Sequence, residues 1–293
     1  MIVSRLSGGL GNQLFQYATG RSLAARTGAE LKLDSSWIDA RDSKAPGRYE
    51  LGCFAVDAEV SPVWKVGRLR ASKSLRRALQ AVRPSRRPFL RVIVEPSDLA
   101  FEPAVLAAGD NTYLVGYWQF EEYFKEHEAL IRRELQFVPR LRVENARLAR
   151  EIERANAVSV HVRRGDYVTS ERHSRMIGAL TPDYYRQAVD FIAERVGDIR
   201  LFVFSDDPAW CAANLRFRKR TVLVEHNSAP ERAFEDLRLM SLCSHHVIAN
   251  STFSWWGAWL NPSRTKLIVA PRQWLRDPVL NRTRSLPHGW IRL

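Results

Sequence analysis

The chain has 293 residues, 45% of them hydrophobic and 26% charged, and a formal net charge of +13. That profile is expected of a globular protein with room for two domains, and it excludes a low-complexity or disordered chain. No run of about 18 apolar residues occurs, so no membrane-spanning helix is expected, and Cys53, Cys211 and Cys243 form neither a disulfide framework nor a zinc pattern.

The cysteines fit a reducing, cytoplasmic compartment, and Met1 leads into an apolar strand without a signal-peptide core. Charge is concentrated between Lys65 and Arg91, where ten Lys/Arg occur with no Asp or Glu. Such a segment can meet nucleic acid, an anionic membrane or an acidic substrate. Nucleic acid is set aside, because no zinc-finger, RNP or basic-zipper pattern accompanies it. Peripheral contact with anionic lipid, at about 1 kcal/mol per basic residue, fits better; a solvated helix with no partner stays open.

In chain order, Ile2–Leu6 is a strand followed by SGGLGNQLFQYATG. Gly8, Gly9 and Gly11 crowd the turn into a helix, and Asn12 and Gln13 stand where they could cap it or touch substrate. The glycine spacing is not that of the dinucleotide fingerprint, so a plain βα turn is the competing reading. Leu31–Leu33 is a second strand ending at Asp34. A helix is predicted over Val66–Val82, then strands at Arg91–Val94 and Asn111–Gly116. Tyr117-Trp118-Gln119-Phe120 then opens a helix, either packing in the core or facing a sugar.

After Pro139 the pattern becomes regular. Helix Leu141–Ala155 precedes strand Val158–Val162. Thr181-Pro182 starts a helix by cap and first-turn proline. Strand Leu201–Phe204 leads into Ser205-Asp206-Asp207-Pro208, another helix start. Strand Thr221–Val224, helix Glu231–Cys243, strand His246–Ala249, helix Phe253–Leu260 and strand Lys266–Val269 complete the series. Short apolar strands alternating with helices imply a parallel sheet covered on both faces. The expected architecture is an α/β domain over residues 1–140 and a Rossmann-like βα domain over 141–293, facing each other across a cleft.

Three strand ends then fall on one edge of the second sheet, where ligands of open α/β sheets bind. The first carries His161, Arg163, Arg164 and Asp166. Paired guanidinium groups match diphosphate oxygens, and the competing reading is a surface pair between Arg164 and Asp166. The second carries Asp206 and Asp207, acceptors for a ribose or a base; Asp207 before Pro208 also suits a helix cap. The third, Asn250, Ser251, Thr252, Phe253 and Ser254, supplies hydroxyls and free N–H groups at a helix start. Trp255, Trp256 and Trp259 beyond it read as core.

SGGLGNQLFQYA, HVRRGDYV, FSDDPAW and MSLCSHHVIANSTFSWWGAWLNP resemble the successive motifs of the α-1,2-fucosyltransferases, glycosyltransferase family 11. The resemblance runs from Ile2 to about Trp274. The arginine motif is shared with α-1,6- and protein O-fucosyltransferases; the ANSTFSWWGAWL run is more specific. Ser244-His245 departs from a Lys-His pair common in relatives. The resemblance implies a GT-B-like pair of Rossmann-type domains, GDP-β-L-fucose as donor, a galactose-terminated acceptor, inversion and no metal or other cofactor. It also implies that His161 and Asp207 face the guanine or ribose, that Arg163 above all, with Arg164, holds the diphosphate, that Ser251–Ser254 add phosphate contacts and that the Gly8–Gln13 turn closes over the reacting centre. No catalytic base is singled out among Asp34, Glu121, His161 and Asp166.

Overall fold

The structure, a computed structural model, describes residues 1–38, 48–61, 91–97, 99–227, 229–282 and 286–293. The predicted helix over 66–82 and nearly all of the basic segment lie outside these residues. The chain divides into two compact units. The first comprises Met1–Tyr49, Val56–Pro96 and Phe101–Ile131; the second comprises Glu50–Ala55, Ser97–Ala100 and Arg132–Leu293. The division falls after Ile131, where the sequence suggested 140, because the segment just beyond it pairs with Glu50–Ala55. Phe54 bridges Phe137, and the Ala55 N–H donates to the Gln136 carbonyl at 3.1 Å.

The first unit holds strands β1 (Ile2–Arg5), β2 (Leu31–Asp34), β3 (Glu59–Ser61), β4 (Arg91–Val94) and β5 (Thr112–Val115), with helix α1 (Leu10–Thr27) after β1. They form one sheet in the order β3-β2-β1-β5-β4, all parallel. Ile2, Val3 and Ser4 are all buried, as a central parallel strand covered on both faces requires, and the Ser4 hydroxyl donates to the Gln16 carbonyl of α1. No helix follows β5 directly. Phe120 instead leads into one 3₁₀ turn at Glu121–Tyr123. Trp118 takes φ +56° and is fully buried, its N–H and that of Tyr117 held by the two oxygens of Glu95 at 2.9 and 2.8 Å. That clamp offsets a backbone conformation which bulky residues disfavour.

The second unit begins with the end of α2 (Glu128–Glu134), then α3 (Val143–Glu153) and β6 (Ala157–Val162). Two short helices, α4 (Gly165–Thr169) and α5 (Glu171–Met176), follow β6 at once. Next come α6 (Pro182–Val196), β7 (Arg200–Ser205), α7 (Pro208–Asn214) and β8 (Arg220–Val224). The chain ends with α8 (Ala233–Leu242), β9 (His245–Val247), α9 (Thr252–Leu260), β10 (Ile268–Ala270), α10 (Pro278–Arg282) and β11 (Ile291–Arg292).

These strands form one parallel sheet in the order β11-β10-β9-β6-β7-β8. Counted from β6, that is the doubly wound dinucleotide-binding order, with its switch point between β6 and β9. The strand β6 is buried at every position. Val158, Val160 and Val162 pack with Tyr185, Ile192, Leu201 and Val203, while Ala157 joins Phe202, Phe204, Leu239 and Met240 on the opposite face. Two-sided burial of this kind is what a continuous apolar strand between helical layers requires. The register Val162↔Ser205 brings the ends of β6 and β7 level, and Val160↔Val247 ends β9 two residues earlier along the same edge.

Candidate active site

The three predicted loops of the second unit meet at this edge. Arg163 is only a third exposed, and its two terminal nitrogens are separately engaged: Nη2 donates to Asp166 Oδ1 at 2.6 Å, and Nη1 pairs with Asp206 Oδ2 at 2.8 Å. Burial opposes the charge of Arg163, but Asp206 and then Asp166 more than offset it, so its pKa is raised. The surface pair between Arg164 and Asp166, the competing reading, does not form. Asp166 belongs to Arg163, and its other oxygen lies 3.2 Å from His173 Nδ1.

Arg164 turns instead toward the β7 loop. Its Nε donates to Asp207 Oδ2 at 3.0 Å, and its guanidinium carbon sits 4.0 Å from the centre of the Trp210 ring. Its backbone N–H donates to Asp206 Oδ1 at 2.8 Å. Asp207 does cap α7, accepting the Trp210 N–H at 3.1 Å. Of the two readings of Asp207 the helix cap is the one met; its other oxygen holds Arg164 rather than standing open to a ribose or a base. Two arginines and three carboxylates form one network with a formal sum of −1.

His161 lies on the opposite face of β6 from Val160 and Val162. It is buried, tilted against Phe253 at 5.3 Å, and its Nδ1 has no hydrogen-bond partner. Burial, and then Arg163, pulls its pKa down to about 3, so the imidazole is neutral at ordinary pH. A buried ring nitrogen without a partner at a sheet's carboxyl edge is an atom that a ligand can satisfy.

At the end of β9 the residues divide. Asn250 directs its amide inward, to the carbonyls of Gly178 at 3.0 Å and of Ile177 and Trp274 at 3.4 Å. The Tyr167 hydroxyl donates to the Asn250 carbonyl at 3.0 Å. Asn250 is therefore a brace between loops. Ser251 caps α9 by accepting the Phe253 N–H at 3.3 Å. Ser254 corrects the expectation of a phosphate contact, because it is wholly buried and its hydroxyl donates to the carbonyls of Ala249 and Ser251. Thr252 and Phe253 are half-buried, at the first turn of the helix. Trp255, Trp256 and Trp259 are core.

In the first unit the glycine turn is built as a rigid corner. Gly8 takes φ +73°, and Gly9 occupies the cap position of α1 without a side chain. Gly11 is buried in the first turn. Gln13 does not cap; its amide donates to the carbonyls of Gly8 and Arg48 at 2.9 and 2.7 Å. Asn12 accepts from the Gln119 amide at 2.8 Å, tying the β1 loop to the β5 loop. Of the residues proposed to read sugar hydroxyls, Trp118 is buried core, while Asn12 and Gln119 face each other. Asp34 accepts from Tyr113 at 2.5 Å and from the Ser36 N–H.

Reasoning from sequence missed four residues here: Gly165, Tyr167, His173 and Trp210. Gly165, Tyr167 and Trp210 lie inside the motifs named above, and only three-dimensional contact reveals that Tyr167 pins the β9 loop and Trp210 carries Arg164. Among the described residues no group of three or more His, Cys, Asp or Glu could hold a metal ion.

The chain joins a five-stranded parallel sheet to a doubly wound unit that carries guanidinium groups at its switch point. Its overall fold matches the crystal structure of the Bradyrhizobium α-1,6-fucosyltransferase NodZ co-crystallised with GDP, with a TM-score of 0.52 at 17% identity over 89% of this chain and 92% of that one. The fold is GT-B-like. The model of glycosyl transferase family 11 matches residues 97–293, and the chain belongs to that family. It is 32% identical to an Escherichia coli α-1,2-colitosyltransferase over 100% of this chain and 99% of the relative. It is 33% identical to the Escherichia coli O-antigen biosynthesis glycosyltransferase WbnK over 99% of each. A Bos taurus galactoside 2-α-L-fucosyltransferase is 32% identical over 52% of this chain and 43% of its own length.

Proposed function

We propose that this glycosyltransferase moves L-fucose from GDP-β-L-fucose to the 2-hydroxyl of a terminal galactose, with inversion and without a metal ion. The observation that carries the reading is the position of Arg163, oriented by two carboxylates at the switch point of a sheet with nucleotide-binding order. As the bond from the sugar C1 to the phosphate oxygen breaks, positive charge develops on the sugar ring and negative charge on GDP. Arg163 and the N–H groups at the start of α9 supply fixed positive ends for that charge. The acceptor oxygen forms the new bond to C1 from the opposite face, its proton passes to water, and GDP departs with the electron pair of the broken bond.

Loss of one such preorganised contact costs on the order of 10²–10³ in rate, so Arg163→Ala is expected to lose turnover by at least that factor with its melting temperature kept. The reading itself is tested by incubating the purified chain with GDP-fucose, excess EDTA and a panel of galactose-terminated disaccharides. Mass spectrometry should show one added deoxyhexose, and linkage analysis should place it at the 2-position. Transfer only with a divalent ion, or only from a UDP-sugar, would remove it.

A second donor has a specific basis, the full-length match to a colitosyltransferase. Colitose lacks the 3-hydroxyl of fucose. A site that hydrogen-bonds a substrate hydroxyl rejects the analogue lacking it by about 10⁴–10⁵. Competition between GDP-fucose and GDP-colitose therefore decides which sugar the chain is built for. Contact with anionic lipid is assigned to the basic segment over 65–91. Among the described residues no helix is long and apolar enough to cross a membrane.

A further inference from the structure

We infer that Asp206 is a positioning residue for Arg163 rather than a contact to the nucleoside, and that it is the reason residue 165 is glycine. This deepens the donor reading above and rests on it. Each oxygen of Asp206 already has a donor in the loop after β6. Oδ2 meets Arg163 Nη1 at 2.8 Å, and Oδ1 takes the Arg164 N–H at 2.8 Å. A carboxylate held at both ends by the neighbouring strand's loop is turned away from a ribose.

The effect on Arg163 is geometric. Asp166 alone, three residues along the same loop, would grip one terminal nitrogen and leave the guanidinium plane free to rotate. Asp206 grips the other nitrogen from a different strand, which fixes the plane. Of the five N–H donors of a guanidinium, the two pairings leave three without a partner among the described residues, on a side chain one-third exposed. Those three can meet phosphate oxygens without reorganisation when the bond breaks.

Gly165 follows from the same contact. A Cβ there would lie 2.6 Å from Asp206 Oδ2, well inside van der Waals distance. The backbone does not demand glycine, since residue 165 is not among those with positive φ. Space for the carboxylate is the constraint.

The charges give the test a sign. Arg163 and Arg164 are surrounded by Asp166, Asp206 and Asp207, so removing one negative charge strengthens the attraction for a diphosphate while releasing the guanidinium. The experiment measures kcat with GDP-fucose and a galactoside, the dissociation constant of GDP by calorimetry, and the melting temperature, for wild type, Asp206→Asn, Gly165→Ala and the double variant. Expected for Asp206→Asn is a kcat at least tenfold lower with GDP bound as tightly as before or more tightly. Gly165→Ala should reproduce that split, and the double variant should be no worse than the poorer single one. If Asp206→Asn does not fold, Gly165→Ala carries the same measurement. Weakening of GDP binding by tenfold or more with kcat kept would make Asp206 a nucleoside contact and overturn the inference, as would fully additive losses. A wild type that turns over a different nucleotide sugar removes the donor reading alone; the same split is then measured with that sugar and its nucleotide.

Discussion

Arg164 and Arg163 are neighbours in sequence with different work. Arg164 has its Nε on Asp207 and its flat face on Trp210, and these contacts cement the β6 and β7 loops together. Cation–π contacts are worth about 0.5–2 kcal/mol, so Trp210→Ala should lower kcat/KM roughly five- to tenfold by loosening that junction. Arg164→Lys should behave alike, because an ammonium replaces neither the fork nor the stacking plane. Steady-state kinetics on both variants check this; an effect as large as that of Arg163→Ala would instead put Arg164 on the diphosphate. Ser254→Ala offers the complementary control. It removes a buried hydroxyl that holds two carbonyls, and should cost about 1–3 kcal/mol of stability while leaving GDP affinity unchanged.

At the scale of elements, the second unit is fastened by a buried polar knot where α3, the loop after β8 and the start of α8 meet. Asn145 reaches Glu235 and Asn227, accepts from the Asn227 amide and lies 2.6 Å from His226; Asn227 in turn donates to Asp236 at 2.8 Å. Burial, and then the charge of Glu235, pushes Asp236 up to about 7 despite the hydrogen bond from Asn227. His161 and His246, both lowered to about 3 chiefly by burial, have the opposite effect on stability.

Between pH 6.5 and 3 the unfolded chain protonates these histidines and the folded chain does not. Stability present above pH 6.5 is therefore lost on acidification, by about 1.4 kcal/mol per pH unit for each histidine. Asp236 opposes this, because below pH 7 the folded chain keeps a proton that the unfolded chain releases down to about pH 4. His245, lowered by burial as well, adds to the loss, so urea titrations between pH 4.5 and 6.5 should give a net slope of at least one histidine, and Asp236→Asn should steepen it by about one more. An unchanged slope would mean that Asp236 is ionised in the folded chain.

Which of these elements could be read from sequence follows from how far apart the determining atoms lie. The βα series after residue 141 was legible because strands buried on both faces are continuous apolar runs, and because Thr181-Pro182 and Asp207-Pro208 mark helix starts. The helices α4 and α5 were not legible. They are short, polar and held by the β9 and β10 loops, as where Arg276 donates its N–H to the Met176 carbonyl. Tyr117–Phe120 read as a helix start because nothing local shows Glu95 holding Trp118 at positive φ. Ser254 read as a ligand contact because caps and anion sites use the same residue types. The arginine cluster was visible as composition, but its pairing was not, since Asp206 and Asp207 lie some forty residues downstream.

On the scale of the whole molecule, the formal charge of +13 is not shared by the described carboxyl edge of the second sheet, where two arginines stand among three aspartates. Two guanidinium groups among three carboxylates present an approaching anion with a nearly balanced surface. Such a surface does little long-range steering, so under the donor reading proposed above the gain on binding would come only at contact, when phosphate oxygens meet Arg163. Capture and grip are separate properties of this chain. Raising ionic strength from 20 to 200 mM, which shortens the screening length from about 20 Å to about 7 Å, should leave the stopped-flow association rate of GDP nearly flat.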